Sequence, residues 1–213
     1  MSHPPSPFPT RHLATLRRLC FCPSFFCAVQ TDVGQLYVLV RPRKGSSASD
    51  RMFSEIIASP CFDRCRLEKP GFDAYARSKM VAVTGELTQQ RLGIEPAMYQ
   101  ELQDKAHIII HCAAVVDFNE RLDRAVELNI YGSLRVLELA KLCKHLQAHI
   151  HISTCYVNSN RLEGGWVDEK LYPLKFDPQE MLEKIQKLNV SDLEKVTVTQ
   201  TFVSVHLCNE RCG

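Results

Sequence analysis

The stretch that decides the fold runs over residues 108–157. It begins with Ile108-Ile109-Ile110-His111-Cys112-Ala113-Ala114 and ends with His151-Ile152-Ser153-Thr154-Cys155-Tyr156-Val157. Between these two runs, apolar residues recur at helical spacing over residues 121–146. The order is a strand, a turn of small residues, a helix, a second strand and a pair of hydroxyls. Strands that alternate with helices imply right-handed βαβ units and a parallel sheet. We expect His111, at the end of the first of these strands, to be a buried core histidine.

The same alternation continues on both sides of this stretch. Residues 36–40 form a continuous apolar run, which is typical of a strand buried on both faces. Residues 80–83 form a second short strand, and Ser49 is a candidate cap for the helix that separates the two. Further helices are predicted over residues 98–105 and 177–188. The fold class is therefore α/β, with a doubly wound, parallel, Rossmann-like sheet.

The overall composition excludes several classes of protein. The chain has 213 residues and a net charge of +2, so it is long enough for one domain and gives no electrostatic argument for nucleic acid. No apolar run approaches the roughly 20 residues that cross a bilayer, so no transmembrane segment is predicted. The ten cysteines show no Cys-x2-Cys pair, so no metal site is predicted. Several of them lie within apolar elements, which indicates reduced thiols in a cytosolic protein.

The N-terminal segment differs from the rest of the chain. It contains no Asp or Glu before Asp32 and has four prolines before position 10. This composition is typical of a disordered or unrelated leader, and an Arg-bearing, acid-free start is also found in mitochondrial transit peptides. We expect a leader over residues 1–30, a partial NADP-binding Rossmann-like domain over residues 31–196 and a divergent tail over residues 197–213.

Two strand ends carry candidate residues for a dinucleotide. Ligands of a doubly wound sheet bind beyond the carboxyl ends of its strands. Arg41 and Arg43 follow the 36–40 strand with no acidic residue beside them, and a guanidinium pairs with the 2′-phosphate of NADP. Glu86, after the next strand, is predicted to accept a hydrogen bond from the adenine amino group, with Leu87 beside it. The alternative for the basic loop is a solvated surface turn.

The other two strand ends carry small residues and hydroxyls. Cys112, Ala113 and Ala114 are small enough for a dinucleotide backbone to approach closely, although such residues also serve helix–sheet packing. Ser153 and Thr154 follow the last predicted strand, where a hydroxyl polarises a substrate carbonyl for hydride attack. Hydroxyls in such positions also simply cap turns.

Taken together, these motifs resemble the fatty acyl-CoA reductases, alcohol-forming members of the extended short-chain dehydrogenase group. The resemblance covers residues 31–196 and rests on Tyr37-Val38-Leu39-Val40-Arg41-Pro42, Gly85-Glu86-Leu87-Thr88, Ile110-His111-Cys112-Ala113-Ala114, Val116-Asp117-Phe118-Asn119-Glu120 and His151-Ile152-Ser153-Thr154-Cys155-Tyr156-Val157-Asn158. It implies NADPH-dependent reduction of a long-chain acyl-CoA to a fatty alcohol through an aldehyde. It also gives Thr154 the catalytic hydroxyl position, with Ser153 beside it.

Two parts of the family pattern are not found at their usual places. The family opens with a strand and a Thr-Gly-x-x-Gly-Phe-x-Gly turn that binds the pyrophosphate, but Gly34 is the only glycine before Gly45. The catalytic Tyr-x-x-x-Lys pair has one match, Tyr75 and Lys79, which precedes the 80–83 strand; we interpret it as a chance match. The domain is therefore expected to lack its first strand and Gly-rich turn, to be truncated at both ends and to leave two half-sheets with open edges. Residues 25–29 are a poor substitute for the missing strand.

The sequence thus predicts an acyl-CoA reductase by family, of low or no activity as an isolated chain. The alternatives are a non-catalytic binding or regulatory partner that pairs with an intact reductase or with itself, and a different extended dehydrogenase. Among such dehydrogenases, a carboxylic acid reductase domain remains an alternative, whereas residues 117–120 disfavour a sugar-nucleotide epimerase. Misplaced gene boundaries around a true core would explain both departures. The family resemblance predicts a location in the cytoplasm or at a lipid-metabolising membrane such as the peroxisome.

Overall fold

The computed structural model describes residues 33–115, 120–154, 166–174 and 176–189, with the shorter pieces 11–16, 117, 158 and 191–193. Of residues 11–16 only the backbone is described. The chain divides into two compact units. The first comprises residues 1–113 and 138–151, and the second comprises residues 114–137 and 152–213.

A parallel sheet of five strands forms the centre of the first unit, in the order β3-β2-β1-β4-β5. The strands are β1 (Arg11–Leu16), β2 (Val33–Val40), β3 (Met80–Thr84), β4 (Ile108–His111) and β5 (Ala148–His151). Their ends are aligned to within one residue, because Val40 pairs with Thr84, Leu16 pairs with Leu39, and His111 pairs with both Leu16 and His151. The carboxyl ends of the strands therefore share one edge of the sheet. This arrangement confirms the α/β, doubly wound prediction.

The expectation that the first strand is missing is wrong. The backbone of Arg11–Leu16 pairs in parallel with β2 on one side and with β4 on the other, so the sheet is continuous. This central strand comes from the segment that composition marks as a leader. It was missed because Arg11, His12 and Thr15 interrupt its apolar pattern, and strand conformation here is selected by pairing with two apolar neighbours. The alternative strand at residues 25–29 lies outside the described residues.

The helices agree with the sequence pattern in order but differ at several ends. They are α1 (Ala48–Arg51), α2 (Asp63–Glu68), α3 (Phe72–Lys79), α4 (Pro96–Lys105), α5 (Leu122–Val126), α6 (Gly132–Leu142) and α7 (Pro178–Lys187). π-Helical turns extend α1 over Met52–Ile57 and join α5 to α6 over Glu127–Tyr131, and 3₁₀ turns lie at Pro60–Phe62 and Gln90–Gly93. Within the described ranges, no helix has the length and apolar character needed to span a membrane.

Side-chain caps set where three of these helices begin. The cap of α1 is Ser47 rather than Ser49, because its hydroxyl accepts from the Asp50 amide at 3.0 Å and the Asp50 carboxylate accepts from the Ser47 amide in return. Glu95 caps α4 by accepting from two amides of its first turn. Asp177 caps α7 by accepting from the Glu180 amide at 2.9 Å.

The first unit has a large apolar core on one face of β2. Leu36, Val38 and Val40 alternate along the strand, and each is at most 3% exposed. They pack with Met52, Ile57, Phe62 and Phe72 of the helical segments that follow the strand, as well as with Ile110 of β4. Each such side chain contributes roughly 1.5–3 kcal/mol of hydrophobic stabilisation. This core holds β2 and its exit loop in place.

The second unit has a smaller core between two helical segments. Leu122, Val126 and Ile130 recur every four residues and form one apolar stripe. Leu182 and Ile185 of α7 pack against this stripe, together with Leu193. The amphipathic pattern predicted for residues 177–188 is therefore confirmed.

Three histidines lie on one face of the sheet where β4 meets β5. His111 is fully buried, as expected, and its ring centroid lies 5.0 Å from that of His151, its register partner. His149 shares their face because it is two residues before His151. Burial lowers the pKa of His111 to about 3, with a smaller contribution from the two neighbouring histidines. Burial also lowers the pKa values of His149 and His151. His111 is therefore neutral in the folded protein at neutral pH.

We expect acid to destabilise the protein through His111. Its pKa falls from 6.5 in a free histidine to about 3 on folding, so the unfolded state binds the extra proton between these values. Stability from neutral His111 is present above about pH 6.5 and is lost as the pH falls toward about 3, with a slope of up to about 1.4 kcal/mol per pH unit. Urea unfolding from about pH 7 to about pH 4 measures this slope.

In the same experiment, His111→Leu should flatten the pH dependence, because a non-titrating apolar side chain replaces the buried imidazole. His145→Gln, at an exposed position outside the cluster, is the matched control and should keep the wild-type slope. Parallel curves for wild type and His111→Leu would contradict the assignment.

Candidate cofactor and catalytic site

The loop after β2 presents basic side chains at the carboxyl edge of the sheet. Arg41 follows Val40 directly, and its side chain is 63% exposed. Arg43 begins a tight turn in which the Ser46 amide donates to the Arg43 carbonyl at 3.0 Å, and Gly45 adopts a φ of +80° that favours glycine. Arg43 and Lys44 are exposed. The basic side chains of this loop therefore lie at the surface.

The loop after β3 is a tight turn that needs glycine at its first position. A Cβ on Gly85 would lie 2.4 Å from Leu39 Cδ1 and 2.6 Å from the Leu92 carbonyl oxygen. The Glu86 amide donates to that same carbonyl at 2.7 Å, which closes the turn. Arg91 and Leu92 both have positive φ, of 48° and 60°, and each such non-glycine residue costs about 1–2 kcal/mol. The turn fixes where the Glu86 backbone sits.

These two loops meet through an ion pair. Arg41 Nε lies 2.6 Å from Glu86 Oε2, and the Glu86 side chain is only 16% exposed. The pairing follows from the sheet register, because Val40 and Thr84 are partners and the residues after them leave the sheet side by side. Both residues were predicted to contact the cofactor, but their contact with each other was not predicted. Leu87, the third candidate at this edge, is 9% exposed and is part of the core.

The segment after β4 carries the small residues. Cys112 is half-buried and Ala113 is buried, and both belong to the first unit. Ala114 is exposed and is the first residue of the second unit. The structure thus places Cys112 and Ala113 at the same sheet edge as Arg41 and Glu86, next to the end of the central strand.

A residue that sequence analysis missed holds the continuation of this segment. Asn129 Oδ1 accepts from the Val115 amide at 2.8 Å, and Asn129 Nδ2 donates to the Val115 carbonyl at 3.2 Å. Asn129 lies in the π-helical turn, and its own carbonyl accepts from the Ser133 hydroxyl at 2.6 Å. One feature of the sequence could have identified Asn129. It is a single amide side chain between Leu128 and Ile130 on an apolar helix, and an amide that is buried in such a setting requires a polar partner. Asn129 is therefore a clamp on the loop that follows Ala114.

The predicted catalytic hydroxyls lie just beyond β5, in the second unit. Ser153 is exposed and Thr154 is half-buried. Their catalytic roles remain predictions from the family resemblance. Residues 155–157, which belong to the same motif, lie outside the described residues.

The one Tyr-x-x-x-Lys match lies at the opposite edge of the sheet. Lys79 Nζ donates to the carbonyl of Val33, the first residue of β2, at 2.9 Å. Tyr75 is covered by Lys69, whose Nζ is 3.0 Å from the ring centroid. Lys79 therefore binds the amino end of β2, away from Arg41 and Glu86. Among the described residues, no cluster of His, Cys, Asp and Glu is arranged to hold a metal ion.

The strand order and the loops at the carboxyl edge define a Rossmann-like fold. Solved structures agree with this fold. The chain is similar over 97% of its length to the terminal R domain from the myxalamid PKS-NRPS biosynthetic pathway, with a TM-score of 0.61, 18% identity and coverage of 47% of that chain. It is also similar over 95% of its length to a thiolation-reductase di-domain from an archaeal non-ribosomal peptide synthetase, with a TM-score of 0.57, 16% identity and 38% of that chain covered.

Sequence comparison identifies the family. A family profile described as male sterility protein matches residues 27–201. Fatty acyl-CoA reductase 1 of Mus musculus is 35% identical over 165 residues, which are 78% of this chain and 30% of that protein. The Homo sapiens protein of the same name is 34% identical over the same length, with the same shares covered. The chain belongs to the fatty acyl-CoA reductase (male sterility) family of oxidoreductases, which implies a nicotinamide cofactor. It spans about a third of the length of these relatives.

We expect Gly85→Ala to destabilise the first unit by about 3 kcal/mol, because the added Cβ collides with a core side chain and with the backbone of the turn. Gly71→Ala is the matched control. Gly71 has a φ of +76°, but a Cβ there would meet no atom within 4 Å, so only about 1 kcal/mol of backbone strain is expected. Urea unfolding of both variants tests this prediction. Equal losses in the free energy of unfolding would show that the turn accommodates a Cβ at position 85.

Asn129→Ala should lower the free energy of unfolding by about 1–3 kcal/mol, because the amide and the carbonyl of Val115 lose their side-chain partner. Hydrogen exchange at the Val115 amide should accelerate in this variant. Asn189→Ala is a suitable control, since that exposed amide bonds to Asp192 alone among the described residues and its loss should cost less than about 1 kcal/mol. An unchanged rate of hydrogen exchange at the Val115 amide would show that Asn129 does not hold this segment.

Proposed function

We propose that this chain takes part in the NADPH-dependent reduction of long-chain fatty acyl-CoA to fatty alcohol. The observation that carries the proposal is the exposed guanidinium of Arg41 at the carboxyl end of β2, beside the central strand of the sheet. In a doubly wound fold this position lies next to the ribose 2′-position, and a guanidinium there pairs with a phosphate. The family supplies the acyl-CoA class of substrate.

The residues present fit the adenosine end of the cofactor. Arg41 and Arg43 supply donors for the 2′-phosphate, and the Gly85 turn brings Glu86 alongside them. Cys112 and Ala113 leave room for close approach at the neighbouring strand end. Residues 17–32, which follow the central strand, contain no glycine and lie outside the described residues. The proposal therefore rests on the residues that would bind the adenosine half of the cofactor.

The chemistry at the substrate is assigned to the hydroxyls after β5. A bound reduced nicotinamide cofactor would supply the hydride for the thioester carbonyl, with loss of the CoA thiol, and a second cofactor molecule would supply the hydride for the resulting aldehyde. Thr154 donates a hydrogen bond to the carbonyl oxygen on which negative charge develops, and Ser153 provides a second hydroxyl beside it. Asn129 keeps the backbone after Ala114 in a fixed conformation. Because the substrate is a lipid thioester, we place the protein in the cytoplasm or at the surface of a lipid-metabolising membrane such as the peroxisome.

A second candidate is a binding protein that holds NADPH without turnover, alone or paired with an intact reductase. The contact of Lys79 with the first residue of β2 favours it, because this contact holds Lys79 at the amino edge of the sheet, away from the carboxyl edge where a proton donor would act. The two candidates share the cofactor site and differ in chemistry.

Turnover of palmitoyl-CoA by the purified full chain separates the candidates. NADPH consumption with formation of hexadecanol is the expected result, and Thr154→Ala should lower the rate by about 10²–10³-fold. Thr154→Ser keeps a hydroxyl and is the matched control, with most of the rate retained. Tight NADPH binding without turnover would favour the binding protein. Absence of binding to both NADPH and NADH would contradict both candidates.

A further inference from the structure

We propose that Glu86 is a positioning residue for Arg41, and that this ion pair, rather than an adenine contact of Glu86, selects NADP(H) over NAD(H). The inference rests on the proposed function, because it concerns the same cofactor site. It assigns Glu86 a different role from the one that its sequence position suggests.

The backbone of Arg41 is held from within the core. Arg51 is 7% exposed, and its Nη1 donates to the Arg41 carbonyl. The other side of the Arg51 guanidinium is fixed by Glu55, which accepts from Nε at 2.9 Å and from Nη2 at 2.6 Å. A buried arginine with several such partners is a rigid support, because a shift of its side chain breaks charge-assisted hydrogen bonds. The loop after β2 therefore leaves the sheet in a defined direction.

The side chain of Arg41 is held by Glu86. Arg41 Nε and Glu86 Oε2 are 2.6 Å apart, and Glu86 is the more buried of the two, with 16% of its side chain exposed against 63% for Arg41. Glu86 is itself fixed, because its amide donates to the Leu92 carbonyl and the preceding glycine admits no side chain. The carboxylate is thus the stationary member of the pair, and Arg41 is the member that it orients.

The ion pair leaves the far side of the guanidinium available. Nε is the nitrogen that meets Glu86, while Nη1 and Nη2 of Arg41 have no hydrogen-bond partner within the described part of the chain. These two nitrogens form the planar fork that binds a phosphate monoester through two parallel hydrogen bonds. Exposure of the Arg41 side chain gives such an anion access. The geometry therefore suits a 2′-phosphate rather than an uncharged ribose hydroxyl.

The pair also explains how an acidic residue is tolerated beside a phosphate site. An unpaired carboxylate at Glu86 would repel a 2′-phosphate placed next to Arg41, whereas the uncharged 2′-hydroxyl of NAD(H) would meet no such repulsion. Contact with Arg41 cancels that charge. Loss of Arg41 should therefore do more than remove a donor, because it exposes the carboxylate and moves the preference toward NAD(H).

Binding of nucleotide fragments tests the inference separately from catalysis. Calorimetry on the full chain should compare 2′,5′-ADP with 5′-AMP, and NADPH with NADH. Glu86→Ala should weaken 2′,5′-ADP and NADPH about tenfold and leave 5′-AMP and NADH nearly unchanged. Glu86→Gln keeps an acceptor for Arg41 Nε and should recover part of the loss. Arg41→Ala should remove the preference for the 2′-phosphate, and adding Glu86→Ala to it should weaken 2′,5′-ADP no further.

The control is a second Arg–Glu pair with the same contact distance. Arg64 Nε lies 2.6 Å from Glu68 on the exposed surface of α2, so Glu68→Ala should change neither ratio. Thermal unfolding verifies that each variant is folded. Equal weakening of NADPH and NADH by Glu86→Ala would restore the adenine role and overturn the inference, as would failure of the wild type to bind 2′,5′-ADP. Arg41- and Glu86-dependent binding without palmitoyl-CoA turnover would uphold the inference and refute the proposed reduction.

Discussion

Parallel pairing of the central strand with both of its neighbours is the constraint on which the first unit depends. Arg11–Leu16 bonds to β2 on one side and to β4 on the other, and in the described sheet it is the strand that joins those two. Without it, β2 with β3 and β4 with β5 would be separate ribbons with open edges, which are marginal on their own. With it, the strand ends that carry the candidate cofactor residues lie along a single edge. The site is therefore a consequence of sheet continuity.

The register of that sheet determines which side chains meet at the candidate site. Because Val40 and Thr84 are partners, the first residues beyond them emerge side by side, and an arginine on one loop meets a glutamate on the other. An exposed ion pair contributes at most about 1 kcal/mol to stability, so this contact matters little for folding. Its value lies in orientation, since it restricts a long side chain that would otherwise sample many rotamers.

Much of this architecture was predictable because the apolar runs of β2, β4 and α7 have the periods of their elements. The central strand was not, since Arg11 and His12 give it no apolar pattern and its conformation depends on partners far along the chain. That Arg41, Glu86 and Cys112 would share one edge was also predictable, because a parallel sheet places its carboxyl ends together. The contact between Arg41 and Glu86 was not, because it depends on register. Asn129 was missed for a related reason: its partner is a backbone segment rather than another side chain with a recognisable pattern.

The turn that carries Glu86 shows how a strained backbone conformation is balanced by the contacts of the turn itself. Positive φ at Arg91 and Leu92 costs about 1–2 kcal/mol for each residue. Full burial of the Leu92 side chain returns roughly 1.5–3 kcal/mol, and the hydrogen bond from the Glu86 amide to the Leu92 carbonyl adds about 0.5–1.5 kcal/mol. The opposing terms are similar in size, so the turn holds without help from a bound nucleotide. Glu86, and through it Arg41, is thus oriented before any anion arrives, which removes an ordering cost from binding.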